Sequence, residues 1–455
     1  MKIHDTLFGL FFLALGTLVL YAVKGFPNIP GQPVGPALFP SLIATGLCVT
    51  GVLLVFKGLR NRTPTAWFAW EDWVRSPRHV LALFVLLGSV VFYIAFANTL
   101  GFFTLTIDLK TTEGKTDFVP RNSCQLLGQD GNLFLNSGFP RRADRLKITG
   151  TIRALIIPVD FPDVVGRNSP SEEFFAMANG TDLFFQQVSG GRVNFAFQTL
   201  KNYVRMPFNS NEFNLGSWSS GNPNGYYKAA LEVADPFVDY SQFDVVYVLS
   251  PREIPWASIA YGPAGPLDSS GIGTNDGPVT NITSSGADAW QNLAQGTPWK
   301  WISHETGHLF GLHDLYVNPG EAVYGSWDLM SNNWSVGAIE LNSWNRYLLG
   351  WLTDSQINCI NVVDLNSTGV TQLINPIERV NELTKAIVVR LSSTKILVIE
   401  SRRNEGFDVL APSQEGSLVY TVDMTIPTIK GGWKVQRRIG STSREFVDAA
   451  LRVGD

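Results

Sequence analysis

The sequence predicts an N-terminal α-helical membrane segment of three spans, then an α/β domain built around one metal-binding helix, then a β-rich C-terminal region. Three observations carry this. Three long uncharged apolar runs, at 6–23, 38–56 and 80–101, crowd into the first hundred residues. From residue 150 onward, continuous apolar runs bounded by turn residues alternate with helical patterns. Between them and the C-terminal strands lies Trp301 to Asp314, WISHETGHLFGLHD, in which His304, Glu305, His308, Gly311 and Asp314 form HExxHxxGxxD.

Taken in order, run 6–23 is long enough to cross a bilayer, and 38–56 and 80–101 repeat the pattern. A Pro/Gly-rich loop, FPNIPGQPVGPALFP, precedes the second run. The loop after that run carries Lys57, Arg60, Arg62, Arg75 and Arg78, which predicts a cytoplasmic position for it. The first loop has only Lys24. Three spans then place everything after about residue 104 outside the cytoplasm, with residues 6–23, 38–56 and 80–101 meeting the lipid bilayer. A secretory signal peptide is the competing reading of the first run.

The net charge of −4 hides a division. Residues 1–103 are basic and apolar, with seven Lys/Arg against three Asp/Glu. The remainder is acidic, and the absence of a basic cluster there argues against a nucleic-acid partner. Cys48 lies in an apolar run. Cys124 and Cys359 flank the motif region and could form one disulfide in an oxidising compartment. A free thiol, or a Cys124 thiolate capping the metal, stays open as an alternative.

The stretches GLFFLALGTLVLYAVKGFPNIPGQPVGPALFPSLIATGL and RSPRHVLALFVLLGSVVFYIAFANTLGF resemble the small membrane subunit (TctB) of tripartite tricarboxylate transporters. The likeness covers about residues 5–103 and stops where that family's fourth helix would be expected, so 1–103 reads as a truncated TctB-like segment. Residues 104–148 are polar and turn-rich and read as a linker or leader. The domain that follows is expected over 149–355. It opens with the buried strand TIRALIIPVDFPD, then a helix, a Gly turn and an alternating strand, a helix near 226–236, and the strand FDVVYVLSP. Residues 262–287, rich in Gly, Ser and Asn, read as surface loop.

In the motif, histidines four apart lie about 40° apart around a helix, so both imidazoles can share a metal. Glu305 stands where a metallopeptidase keeps its general base. Gly311 can take the positive φ that ends the helix and brings Asp314 round as a third ligand. Beyond residue 103 the histidines are His304, His308 and His313. A three-histidine site would therefore need His313, nine positions from His304, while Asp314 stands ten away.

RALIIPVDFPD, FFQQVSGGRVNF, HETGHLFGLHDLY, YGSWDLMSNN and LNSWNRYLLGWL resemble, in order, the immune inhibitor A family of metzincin zinc proteases over about residues 150–352. The resemblance implies zinc on His304, His308 and Asp314, with Glu305 as general base. It also implies an apolar turn under the metal at Met330, and protein or peptide substrates. Tyr316 and Tyr324 are candidates for hydrogen bonding to an oxyanion, and Asp160 and Asp163 for a structural calcium. Residues 356–455 read as strands, with no closing element evident before Asp455. The chain as a whole is then a membrane-tethered zinc endopeptidase, a transporter subunit bearing an extracytoplasmic module, or a join of two unrelated sequences near residue 104.

Overall fold

The computed structural model describes residues 5–23, 38–60, 120–128, 137–217, 221–265, 270–291, 293–317, 323–331, 337–365, 369–443 and 446–453. The chain divides into two compact units, Met1–Gly114 and Lys115–Asp455.

In the first unit, α1 (Asp5–Val23) and α2 (Leu38–Arg60) run antiparallel in close contact. Small residues permit the approach: a Cβ on Gly9 would fall 2.6 Å from the Gly51 carbonyl oxygen, and one on Gly16 2.6 Å from Cys48 Sγ. The three-span segment read from the sequence is corrected here. Among the described residues, no helix is long and apolar enough to cross a membrane. A bilayer core about 30 Å thick needs about 20 apolar residues in succession. Helix α1 has 19 residues with Asp5 among them, and α2 includes Thr45 and Thr50 and ends on Lys57 and Arg60. The run 80–101, the Pro/Gly loop before Leu38 and the basic loop residues Arg62, Arg75 and Arg78 lie outside the described residues. The orientation drawn from loop charge falls with the spans.

The second unit is mixed α/β and rich in sheet. Strand β1 (Gly150–Asp160) lies between β2 (Val193–Thr199) and β4 (Val245–Leu249), and its end also pairs with β3 (Val204–Arg205); every pairing is parallel. Parallel strands need crossovers, and α3 (Phe175–Val188) and α4 (Pro223–Ala234) supply them. Ile152, Ala154 and Ile156 pack on the α3 side while Leu155, Ile157 and Val159 pack on the α4 side. A strand buried on both faces must be apolar at every position, which is the pattern read at 151–163.

Two expectations change. Within 262–287, read as surface loop, lie the hairpin β5 (Ile272–Thr274) and β6 (Gly277–Val279), and the buried strand β7 (Ile282–Ser285), parallel to β4. Two of its three hydroxyls find partners inside, Thr283 on the Gly262 carbonyl at 3.0 Å and Ser284 on Tyr227 Oη at 3.3 Å, while that of Ser285 is buried without one. A polar composition therefore passes as core. Likewise, parts of 104–148 are integral to the unit rather than a linker. Cys124, Leu126, Phe139 and Leu146 are buried, the Trp344 and Trp433 indoles donate to Ser137, and Cys124 is disulfide-bonded to Cys359.

Beyond α5 (Ala287–Gln291), α6 (Trp299–Leu309) and α7 (Ser343–Leu348) comes a second sheet. It is ordered β12–β11–β10–β9–β8, comprising β8 (Ile357–Asn361), β9 (Ala386–Arg390), β10 (Lys395–Arg402), β11 (Gly416–Asp423) and β12 (Trp433–Val435). Only β8–β9 is parallel. This sheet is anchored by Arg402, fully buried at the end of β10. Its guanidinium meets Asp408 at 2.6 Å, Glu400 at 3.0 Å and Glu378 at 3.3 Å, and donates to the Trp327 and Glu340 carbonyls. Burial, with Asp408 and Glu340 close by, pushes the Glu378 carboxyl up against the opposing pull of Arg402.

Removing the cation from such a cluster leaves carboxylates buried and unpaired. Arg402→Met is expected to cost about 3–5 kcal/mol of stability, read from urea unfolding of the full chain. An unchanged midpoint would refute the anchoring role.

Candidate metal centre

The rotation of α6 about its axis is fixed by three polar or steric locks. Ser303 Oγ meets Thr181 Oγ1 of α3 at 3.0 Å, and Thr306 Oγ1 meets Tyr247 Oη of β4 at 2.9 Å. Gly180 lets Trp299 lie on α3, since a Cβ there would sit 2.2 Å from the indole. With those residues facing sheet and helix, His304 and His308 share the remaining face, their rings 4.9 Å apart.

The helix ends as the sequence requires. Gly311 has φ +97°; its N–H donates to the His308 carbonyl and that of Leu312 to the Gly307 carbonyl, a Schellman turn. Arg141 donates to the Phe310 carbonyl at 3.0 Å, so the returning segment 137–148 seals the cap.

The turn delivers Asp314. Its Oδ1 lies 3.1 Å from His304 Nε2 and 3.4 Å from His308 Nε2. His304 Nδ1 lies 2.9 Å from the Leu329 carbonyl, and His308 Nδ1 2.9 Å from that of Leu312. Each Nδ1–H is thereby committed to backbone, and each Nε2 lone pair is turned to the common point. The edge of a tetrahedron with zinc–ligand bonds of 2.0–2.1 Å is about 3.3 Å. The two separations from Asp314 Oδ1 to the imidazole nitrogens match that edge, and the donor set of two imidazoles and a carboxylate suits that ion.

Glu305 is buried, and Ala264 N–H donates to its Oε2 at 2.8 Å. Ligand atoms of His304, Glu305 and His308 all fall within 4.8 Å of one another. Burial pushes the Glu305 carboxyl up, His308 and His304 pull it down, and the net direction is upward. For His308, burial works downward but Asp314 and Glu305 overcome it, raising the imidazole to about 9. Asp314 is held well below the ordinary carboxylate range: burial opposes this, and the two histidines prevail.

Met330 is fully buried beneath the helix, its Sδ 2.4 Å from where a Gly307 Cβ would stand. The turn that carries it is fixed by Asp328, which accepts from Met330 N at 2.8 Å, Asn342 N at 2.8 Å and Asn342 Nδ2 at 2.6 Å. Gly307, Asp328 and the Ala264 amide escaped the reading of the sequence. Only Gly307 had a signal there, a glycine inside a helix.

The other expected residues divide. Tyr316 lies beside His304, ring centroids 6.5 Å apart and nearly parallel, with Trp301 as another ring stacked on His304. Burial, Asp314 and Glu305 all push its phenol up. Tyr324 does not serve as an oxyanion donor: it is fully buried, packed on Tyr420 and Trp433, and no substrate can reach it. His313 is half-buried and stands outside the His304–Glu305–His308 group. Asp160 forks onto Arg205 at 2.6 and 2.8 Å, and Asp163 accepts from the Ser210 amide and hydroxyl, so both acids have protein partners.

Two predictions follow from this geometry. Gly307→Ala drives a methyl into Met330 and should cost about 1–3 kcal/mol with reduced zinc retention, and Met330→Ala in the same chain should restore part of both. Melting and metal analysis of the two variants check this. The second concerns pH. In the metal-free protein, the raised His308 contributes stability that is complete below about 6.5 and is lost as pH rises through about 9. Melts of the chelator-treated full chain across that window should fall with pH, and those of His308→Gln should fall less.

Residues 6–114 match the family model of the Tripartite tricarboxylate transporter TctB family. The match runs past residue 103, stays within the first unit and does not reach the candidate metal centre. No curated protein matches the chain.

Proposed function

We propose that the second unit is a zinc-dependent peptidase of the immune inhibitor A type, acting on protein or peptide substrates. The observation that carries this reading is the convergence of His304 Nε2 and His308 Nε2 on Asp314 Oδ1 at 3.1 and 3.4 Å, with Glu305 beside them. Zinc held by those three would supply Lewis acidity, polarising a carbonyl and acidifying water. Glu305 is the proton carrier: the Ala264 amide fixes Oε2, leaving proton exchange to Oε1. Its raised affinity for a proton suits a group that must take one from water and return it to a leaving amine. Tyr316 is the candidate donor to the developing oxyanion. The Cys124–Cys359 disulfide supports an oxidising, extracytoplasmic setting for this unit.

A second reading is favoured by the family match at 6–114: the chain is a component of a tricarboxylate transporter, and the second unit is a module it carries. That match supports the transporter reading directly, and a membrane location agrees with it. Sequencing one transcript across codons 95–115 tests whether both units belong to one product.

The full chain with Glu305→Gln separates the two functions. On the peptidase reading it keeps one zinc per chain and loses casein hydrolysis by about 10²–10⁴-fold. On the transporter reading, deleting the chain abolishes tricarboxylate uptake and the Glu305→Gln chain restores it. Wild-type chain without stoichiometric zinc or caseinolysis would sink the peptidase reading.

A further inference from the structure

Resting on the peptidase reading, we infer that Asp288 is a positioning residue for Glu305, acting through the loop 259–264 that presents the Ala264 amide. Asp288 is almost fully buried at the start of α5. Its Oδ1 accepts from Gly286 N at 2.8 Å and Ala289 N at 2.6 Å. The Gly262 amide bears on the same carboxylate. Backbone bonds tie this corner to the loop: Ala287 N donates to the Ile259 carbonyl at 2.9 Å and Asp288 N to that of Ala260 at 3.1 Å.

The loop has little room to take any other path. A Cβ on Gly262 would stand 1.9 Å from the Ser284 carbonyl oxygen, and one on Gly286 2.1 Å from that of Ile259. Gly265 exchanges two 2.7 Å backbone bonds with Ile282 of β7, and Thr283 holds the Gly262 carbonyl. Between these fixed points Ala264 N–H reaches Glu305 Oε2. Asp288 Oδ2 is buried and has no hydrogen-bond partner, so Oδ1 carries the bonds at this corner. A buried carboxylate at the joint of β7, α5 and the loop sets where the amide points without itself meeting substrate.

Asp288→Asn keeps an acceptor oxygen at the same place, and Asp288→Ala removes it. In the zinc-free full chain, hydrogen–deuterium exchange of the peptide covering 259–265 should accelerate in Asp288→Ala and stay near wild type in Asp288→Asn. In the zinc-loaded chain, Asp288→Ala should lower kcat on casein-derived peptides by about tenfold, the equivalent of one lost orienting hydrogen bond, with KM and zinc content unchanged. Asp288→Asn should recover most of the rate. Unchanged exchange in Asp288→Ala overturns the assignment, as does faster exchange with unchanged kcat. If Asp288→Ala does not fold, Asp288→Thr takes its place, since its hydroxyl can accept one of the two amides. The same two readouts then decide. Should wild type bind zinc yet cleave nothing, the peptidase reading fails and the exchange arm alone judges Asp288.

Discussion

The candidate metal centre rests on a charge that lies outside it. Arg402 closes β10 with no solvent access, and its five N–H donors reach three carboxylates and two backbone carbonyls. Those carbonyls belong to Trp327 and Glu340, on either side of the turn that carries Asp328 and Met330. Asp408, which receives the guanidinium, also accepts from Glu340 N. The second sheet is thereby bonded to the floor of the site. A buried cation among acids is a poor source of net stability but a strong determinant of one arrangement, because any shift strands a charge.

From that floor the site is assembled outward by backbone groups. Leu329 and Leu312 carbonyls set the two imidazoles, Ala264 N–H sets Glu305, and the Gly307 notch seats Met330. Side-chain identity supplies the ligands, and main-chain geometry aims them. The helix itself is held by hydroxyls, Ser303 and Thr306, where an aliphatic interface would have left its rotation freer.

This division explains what could be read in the sequence. The spacing of His304, His308, Gly311 and Asp314 was legible because helix periodicity and a positive-φ turn are local properties. The buried strand at 151–160 was legible because burial on both faces demands unbroken apolarity. Strand β7 was not, because Ile-Thr-Ser-Ser is buried with Thr283 and Ser284 hydrogen-bonded inside and so carries no hydrophobic pattern. The Ala264 contact had no trace either, since an amide proton is the same on every residue but proline. Tyr324 misled because a tyrosine near a motif and a tyrosine sealed between Tyr420 and Trp433 look identical in one dimension. The apolar runs at 6–23 and 38–56 were read by composition as bilayer spans, and the helices α1 and α2 that cover them are not long and apolar enough to cross a membrane.

The bond between Cys124 and Cys359, 235 positions apart, encloses every residue of the proposed centre within one covalent ring. A backbone cut anywhere inside that ring would leave both fragments attached, so a nicked chain would still migrate as one piece until reduced. A cut at the junction of the two units, Gly114–Lys115, would instead separate them while keeping the ring whole. The molecule therefore has two regions, ahead of Cys124 and beyond Cys359, in which proteolysis divides it, and one between them in which proteolysis is covalently silent.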